Sequence, residues 1–190
     1  NMRDALKTLF HPFDAGLLSS PEAGRRVLFL AAEPGFRPPG DFSAEIVAIQ
    51  GFRPLYLGLK RDGREVLPTP EGDGYDCALV LCGRHRGENE LNTAEAVART
   101  RPGGLIVIAG GKEDGVASLR KRLESRDTAF SAAPASDTPR GLMSSANSSL
   151  TGDAHPYRPV PIGGSVSKYH GVAFWLARTP EADGFADAAR

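Results

Sequence analysis

The sequence is short of cysteine, of net charge and of long apolar runs, and each shortage closes off a class of protein. Two cysteines in 190 residues cannot make a disulfide framework, which points to a reducing compartment. Cys77 and Cys82 lie in one apolar stretch, an odd number of residues apart, so in a strand they face opposite ways. There they can neither pair nor share a metal. His11, His85, His155 and His170 are scattered, with no Cys or carboxylate spacing that would hold a metal. Basic and acidic residues balance at 23 each, so no global field draws the chain to nucleic acid or to a membrane. Only a local basic patch could do so. No apolar run is long enough to cross a bilayer, and no signal-peptide pattern opens the chain. The expectation is a cytoplasmic protein without metal or membrane partner, in which Asn1 ahead of Met2 reads as an added residue. No Gly-x-Ser-x-Gly elbow of a hydrolase is present.

What the chain does have is concentrated between Tyr75 and Gly111. Cys77–Cys82 is an unbroken apolar run, the mark of a strand buried on both faces. Leu91, Ala94, Val97 and Ala98 then recur at helical spacing, with Asn89 as the expected N-cap and Pro102-Gly103-Gly104 as the stop. Leu105–Ala109 is a second buried strand. Strand, helix and strand at this spacing make a parallel crossover, so the fold class is α/β with helices covering a central sheet.

The remaining elements arrange themselves around that unit. Ala5, Leu6, Leu9 and Phe10 mark a short amphipathic helix that Pro12 is expected to end. Val27–Ala32 and Ala44–Ile49 are strands, yet the Glu33–Gly40 stretch between them is too rich in proline for a helix. The crossover there is near the minimum length for a parallel connection, and its helix is expected to be missing. A helix follows from Pro54, with Leu55, Leu59 and Tyr56 inward and Gly63 just past its end, then a short strand at Arg64–Leu67. Asp114 can cap another helix, with Val116, Leu119 and Leu123 inward. The stretch 126–165 is dominated by Ser, Ala, Pro, Thr and Gly, and reads as a mobile insertion that the fold can carry at modest cost. Val172–Ala177 returns to the sheet, as an antiparallel strand.

Certain segments carry a resemblance. Arg-Pro-Gly-Gly ahead of a buried strand resembles class I S-adenosylmethionine-dependent methyltransferases. Arg3–Phe13, the segment Gly83-Arg84-His85-Arg86-Gly87-Glu88-Asn89-Glu90, the Gly110–Gly115 turn and Ser167–Gly171 look more narrowly like one subgroup. They are similar to the N-terminal half of tandem-domain 16S ribosomal RNA guanine-N2 methyltransferases. The resemblance implies a Rossmann-like, mostly parallel sheet with helices on both faces and a degenerate first helix. It implies one degenerate domain over 1–190 and a catalytic C-terminal domain beyond it as partner. The function implied is folding support and positioning of ribosomal RNA, with S-adenosylmethionine as cofactor of the full-length family and none bound here.

The residues can be set against the family's cofactor motifs. A working site needs a Gly-rich turn opening a helix after the first strand; this chain has Ala32-Glu33-Pro34-Gly35 and a proline-rich loop. In place of an acid after the second strand stands Gln50-Gly51. In place of an Asn-Pro-Pro-aromatic loop stands Cys82-Gly83-Arg84-His85. No catalytic or cofactor-binding residue is therefore assigned. The alternatives are a self-sufficient methyltransferase and a packing module without RNA contact. Arg84, His85 and Arg86 sit at the end of a central strand, where open α/β sheets place ligands, or form a solvated basic loop. Lys168, Tyr169 and His170 offer a cation and two flat rings suited to unpaired bases, or pack on the sheet edge. Arg84, His85, Arg86, Lys168 and Tyr169 are the RNA-binding candidates. Gly110-Gly111-Lys112 lacks the spacing of a phosphate loop and reads as a tight turn, and Arg120–Arg122 as a solvated helix face.

Overall fold

The computed structural model describes residues 2–124 and 162–178. At its centre the apolar run forms β4 (Tyr75–Leu81), followed by α3 (Arg86–Arg99) and β5 (Thr100–Gly111). β1 (Arg26–Leu30) lies parallel to β4 with Leu28 opposite Ala78, and β5 flanks β4 on the other side with Ala78 opposite Ile106. β2 (Glu45–Ile49) and β3 (Glu65–Leu67) extend the parallel sheet outward from β1. Beyond β5 lies β7 (Gly171–Ala177), antiparallel, with β6 (Ile162–Lys168) antiparallel to it at the edge. Among the described residues the strand order is β3-β2-β1-β4-β5-β7-β6, a Rossmann-like, mostly parallel sheet of seven strands.

The two-residue period of the strands sorts the core onto the two faces. Val27, Phe29, Cys77, Leu79 and Val107 face α1 (Asp4–Asp14) and α2 (Arg53–Arg61). Leu28, Leu30, Ala78, Val80, Ile106 and Ile108 face α3 and α4 (Val116–Glu124). Cys77 and Cys82 fall on opposite faces as expected, and burial pushes both thiols up to about 12, far from a reactive thiolate. No helix occupies the β1–β2 connection between Ala31 and Ala44, the one expected to be missing. Val116, Leu119 and Leu123 are buried along α4, and Gly63 follows α2 with φ +80°.

Four local expectations are corrected. Pro12 does not end α1, which runs on to Asp14. Proline in the last turn forfeits a single backbone donor, and burying Phe13 on the apolar face outweighs it. α3 starts at Arg86 with His85 as N-cap, ahead of Asn89, and Leu91 is 45% exposed. Thr93, Ala94, Ala96 and Val97 face the sheet instead, small residues that let the helix lie close. Pro102-Gly103-Gly104 does not stop the helix; it belongs to β5, where the register with β4 jumps from Tyr75↔Thr100 to Cys77↔Leu105. Gly104 is required there, since a Cβ would lie 2.9 Å from the Asp76 carbonyl oxygen. Lastly, residues 162–165 of the expected insertion open β6, and the rest of it lies outside the described residues.

The irregular start of β5 brings Arg101 to Asp76 at the amino edge of the sheet. The Asp76 carboxylate accepts from the Arg26 backbone N–H at 2.9 Å, from Arg101 Nε at 2.9 Å and from Arg25 Nη1 at 3.5 Å. The Arg26 N–H, then the two guanidinium groups, hold its pKa below the ordinary carboxylate value. A carboxylate depressed in the folded state stabilises it above the unfolded pKa, and that contribution is lost as pH falls through the folded pKa. Asp76→Asn is expected to cost about 1 kcal/mol at neutral pH. In urea melts the gap to the parent should narrow below about pH 4. A gap that stays constant on acidification would rule out the charge as its source.

Candidate functional site at the carboxyl edge of the sheet

The chain leaves β1 through Ala31, a non-glycine residue at φ +60°, and the connection that follows is fastened at every few residues. Glu33 takes a two-pronged ion pair from Arg3, at 2.8 and 3.0 Å. The Gly35 N–H donates to the Asp62 carboxylate at 2.7 Å. Pro34 lies against α2 at Gly58, where a Cβ would stand 2.5 Å from the proline ring. Arg64 Nη2 donates to the Phe36 carbonyl at 2.7 Å, and its guanidinium covers the Phe36 ring at 4.0 Å. Burial there lowers the Arg64 pKa. Phe36 is fully buried, edge-on to Phe29 at 4.9 Å and stacked with Phe10 at 6.0 Å. Phe42 meets Phe10 and Phe13 beside it. These rings fill the space between α1 and α2 that a helix would otherwise cover.

The ends of β2 and β4 are braced in the same way. Gln50, buried at the end of β2, donates through Nε2 to the Ala32 carbonyl at 2.7 Å and accepts from the Phe52 N–H at 2.8 Å. Its amide ties the β1 connection to the start of α2. After β4, the buried Asn89 accepts from the Gly83 N–H at 2.9 Å and donates to the carbonyls of Gly83 at 2.8 Å and Asp114 at 3.2 Å. Asp114 in turn accepts from the Gly111 N–H at 2.7 Å. The loops after β4 and β5 are thereby joined. From sequence, Asn89 reads as a helix cap and Gln50 only as the residue in place of an acid. Only tertiary neighbours reveal either brace.

Arg84, His85 and Arg86 stand exposed in the loop after β4. Arg84 approaches Glu113 at 3.9 Å with both side chains more than 80% exposed, a contact of little energetic weight. Arg86 pairs with Glu90 at 3.3 Å, and Glu90 also receives Arg122. With Asn89 and Ser118 these arginines surround a cavity of about 120 Å³ on the α3–α4 side of the sheet.

Lys168 and Tyr169 belong to the β6–β7 hairpin, on the α1 side. Tyr169 and His170 take φ of +56° and +60°, the paired left-handed conformation of a tight hairpin turn that Asn-Gly fills most cheaply. A bulky residue there costs on the order of 1–2 kcal/mol. The turn is pinned by Thr8 Oγ1 donating to the Lys168 carbonyl at 2.8 Å and by the Lys112 N–H donating to the His170 carbonyl at 3.1 Å. Tyr169 remains 40% exposed, perpendicular to His11 at 5.8 Å, with the Lys7 and Lys168 ammonium groups 5.9 and 5.6 Å from its centroid. Lys7, His11, Arg37 and Tyr169 line a cavity of about 270 Å³.

The five sequence candidates thus share the carboxyl edge but divide between its two sides. Among the described residues no hydrogen bond, ion pair or ring contact joins the two groups. Lys7, His11 and Arg37 were missed as companions of Tyr169. The spacing of Lys7 and His11, one helical turn apart, was the available signal. Among the described residues no group of three or more His, Cys, Asp or Glu could hold a metal ion, and no helix is long and apolar enough to cross a membrane.

No family model matches the chain, and no curated protein matches its sequence. Solved structures do. The T. thermophilus 16S rRNA N2 methyltransferase RsmC, in complex with AdoMet and guanosine, is similar with a TM-score of 0.57 at 16% identity, over 95% of this chain and 40% of that one. The N-methyltransferase NodS of Bradyrhizobium japonicum gives 0.53 at 10% identity, over 92% of each chain. Protein 1320 of Thermoplasma acidophilum gives 0.52 at 14%, over 90% and 82%. The chain therefore has the Rossmann-like fold of S-adenosylmethionine-dependent methyltransferases and spans 40% of the length of the Thermus enzyme. At such identities the likeness carries the fold and no residue's role.

The Asn89 brace generates a prediction of its own. Asn89→Ala leaves the Gly83 and Asp114 backbone groups without this partner, and is expected to cost about 2 kcal/mol in chemical denaturation. Faster amide exchange at Gly83 should accompany it. Unchanged exchange at Gly83 would show that the loop is held by other contacts.

Proposed function

We propose that this chain is a non-catalytic, methyltransferase-like domain that supports and positions RNA for a catalytic methyltransferase domain of the same polypeptide. Gln50 is the observation that carries this reading. In the family the chain resembles, an acid after the second strand takes the ribose hydroxyls of S-adenosylmethionine. Here an amide stands there, with its oxygen and its nitrogen both engaged in holding the backbone. The β1 connection presents no helix N-terminus to an anionic group and is packed shut around Phe36. The residues present do not fit the methyl donor, and no transfer step is assigned to them.

Ribosomal RNA is the proposed ligand. The Thermus protein is named as a 16S rRNA methyltransferase, which supports the RNA, and the match covers only 40% of its chain, which supports the second domain. Arg84, His85, Arg86, Lys168 and Tyr169, all exposed along one edge, form the proposed contact surface. A cationic edge on a chain of zero net charge suits a phosphate backbone approached from one direction.

Titration calorimetry with S-adenosylmethionine should give no binding heat at micromolar concentrations. A micromolar Kd would instead establish a working cofactor site and favour a self-sufficient enzyme. For the RNA role, Arg84→Ala combined with Lys168→Ala should weaken binding of a 16S rRNA fragment. It should also reduce the log–log salt slope by about 1.4 to 1.8. Unchanged affinity and slope would leave only a packing role against the partner domain.

A further inference from the structure

The cavity beside Tyr169 has a chemistry that phosphate attraction alone does not explain. Its volume of about 270 Å³ lies just below the roughly 300–1,000 Å³ of pockets that enclose drug-sized ligands. One flat heterocycle fits that scale. Its lining holds rings and cations: Phe10, His11 and Tyr169 with Pro38, and Lys7 with Arg37. These come from three separate parts of the chain, namely α1, the β1–β2 connection and the β6–β7 hairpin.

Two features show that the tyrosine is held in place. The hairpin turn that carries it is anchored on either side, by Thr8 to the Lys168 carbonyl and by Lys112 to the His170 carbonyl. Its ring nevertheless stays 40% exposed beside His11 instead of entering the core. The cations around it are only loosely committed. Lys7 meets Asp4 at 3.8 Å with both side chains exposed, and Lys7 and Lys168 stand at the outer limit of ring contact. The Arg37 guanidinium has no hydrogen-bond or ion-pair partner among the described residues, while its own backbone N–H is held by Met2 Sδ at 3.2 Å. Asp14 is the acid at the cavity wall.

We infer that this cavity takes one unpaired nucleobase of an RNA strand, stacked on Tyr169 beside His11, with the neighbouring phosphates on Lys7, Arg37 and Lys168. Every base offers a π-face, so such a platform reads unpaired strand and tolerates sequence. A duplex keeps its bases stacked inside and cannot enter. The inference rests on the RNA reading above and gives it a subsite.

The test is fluorescence anisotropy with a labelled single-stranded octaribonucleotide and the corresponding paired duplex. The unsubstituted chain should bind the single strand more tightly. Tyr169→Asn removes the ring but keeps a side chain that tolerates the left-handed turn, and should weaken single-strand binding about tenfold. Tyr169→Phe should stay within about twofold of the parent, and Arg37→Ala should lower the salt slope by about 0.7. If the Tyr169→Asn chain does not fold, photocrosslinking the parent to a 5-bromouridine strand decides: adducts at Tyr169 or His11 support the subsite, and adducts only elsewhere overturn it. Equal binding by parent and Tyr169→Asn, or preference for the duplex, overturns the subsite and leaves RNA positioning standing. No binding of either probe at low salt overturns both.

Discussion

Phe36 sits where the first crossover of the sheet meets its hardest physical demand. β1 and β2 are parallel neighbours, so the chain must return across one face between them and cover the apolar side chains it passes. A proline-rich connection cannot do this with a helix. It does so with rings, Phe36 and Phe42 packed against Phe10, Phe13 and Phe29. Burying a phenylalanine contributes about 2–3 kcal/mol, and ring pairs add up to about 1.5 kcal/mol each. Two of the connection's carbonyls, lacking a helical ladder, take side-chain donors: Ala32 from Gln50 and Phe36 from Arg64.

Several other features follow from that arrangement. α1 must lie over the centre of the sheet to supply Phe10 and Phe13, and this places Lys7, Thr8 and His11 beside the β6–β7 hairpin. Gly171 allows the approach, since a Cβ there would be 2.6 Å from the Gly110 carbonyl and 2.9 Å from Thr8 Oγ1. The cavity beside Tyr169 is therefore a by-product of how the ring cluster positions α1. On the opposite side, α3 lies close through alanine, threonine and valine, and Asn89 is carried inward to hold the β4 and β5 loops. The carboxyl edge is thus braced by side-chain hydrogen bonds at β1, β2 and β4. Its loosely held groups are the cations at the rim.

A scaffold shared with methyltransferases does not by itself establish their activity, because function resides in side chains placed at the strand ends. In this chain those positions hold an amide bonded on both sides, a sealed loop and an arginine-rich turn. The same edge still offers cations and an exposed ring, which suit contact with a polyanion carrying flat bases.

The sequence by itself determined the α/β class, the faces of the strands and the missing helix. Each of these depends on local pattern: the two-residue alternation separates Cys77 from Cys82, uninterrupted apolar runs mark β4 and β5, and proline between Glu33 and Gly40 forbids a helix. Local pattern misjudged Pro12, Leu91 and Asn89, because the energy that settles them lies in tertiary contacts rather than in helical periodicity. Phe13 meets Phe42, and Asn89 meets Gly83 and Asp114. Tertiary structure alone decided that Tyr169 joins Lys7, His11 and Arg37, while Arg84 and Arg86 line a separate cavity with Arg122 on the other side. Which cations share a site depends on the face of the sheet from which each loop emerges, and that is fixed by strand order and helix placement across more than a hundred residues.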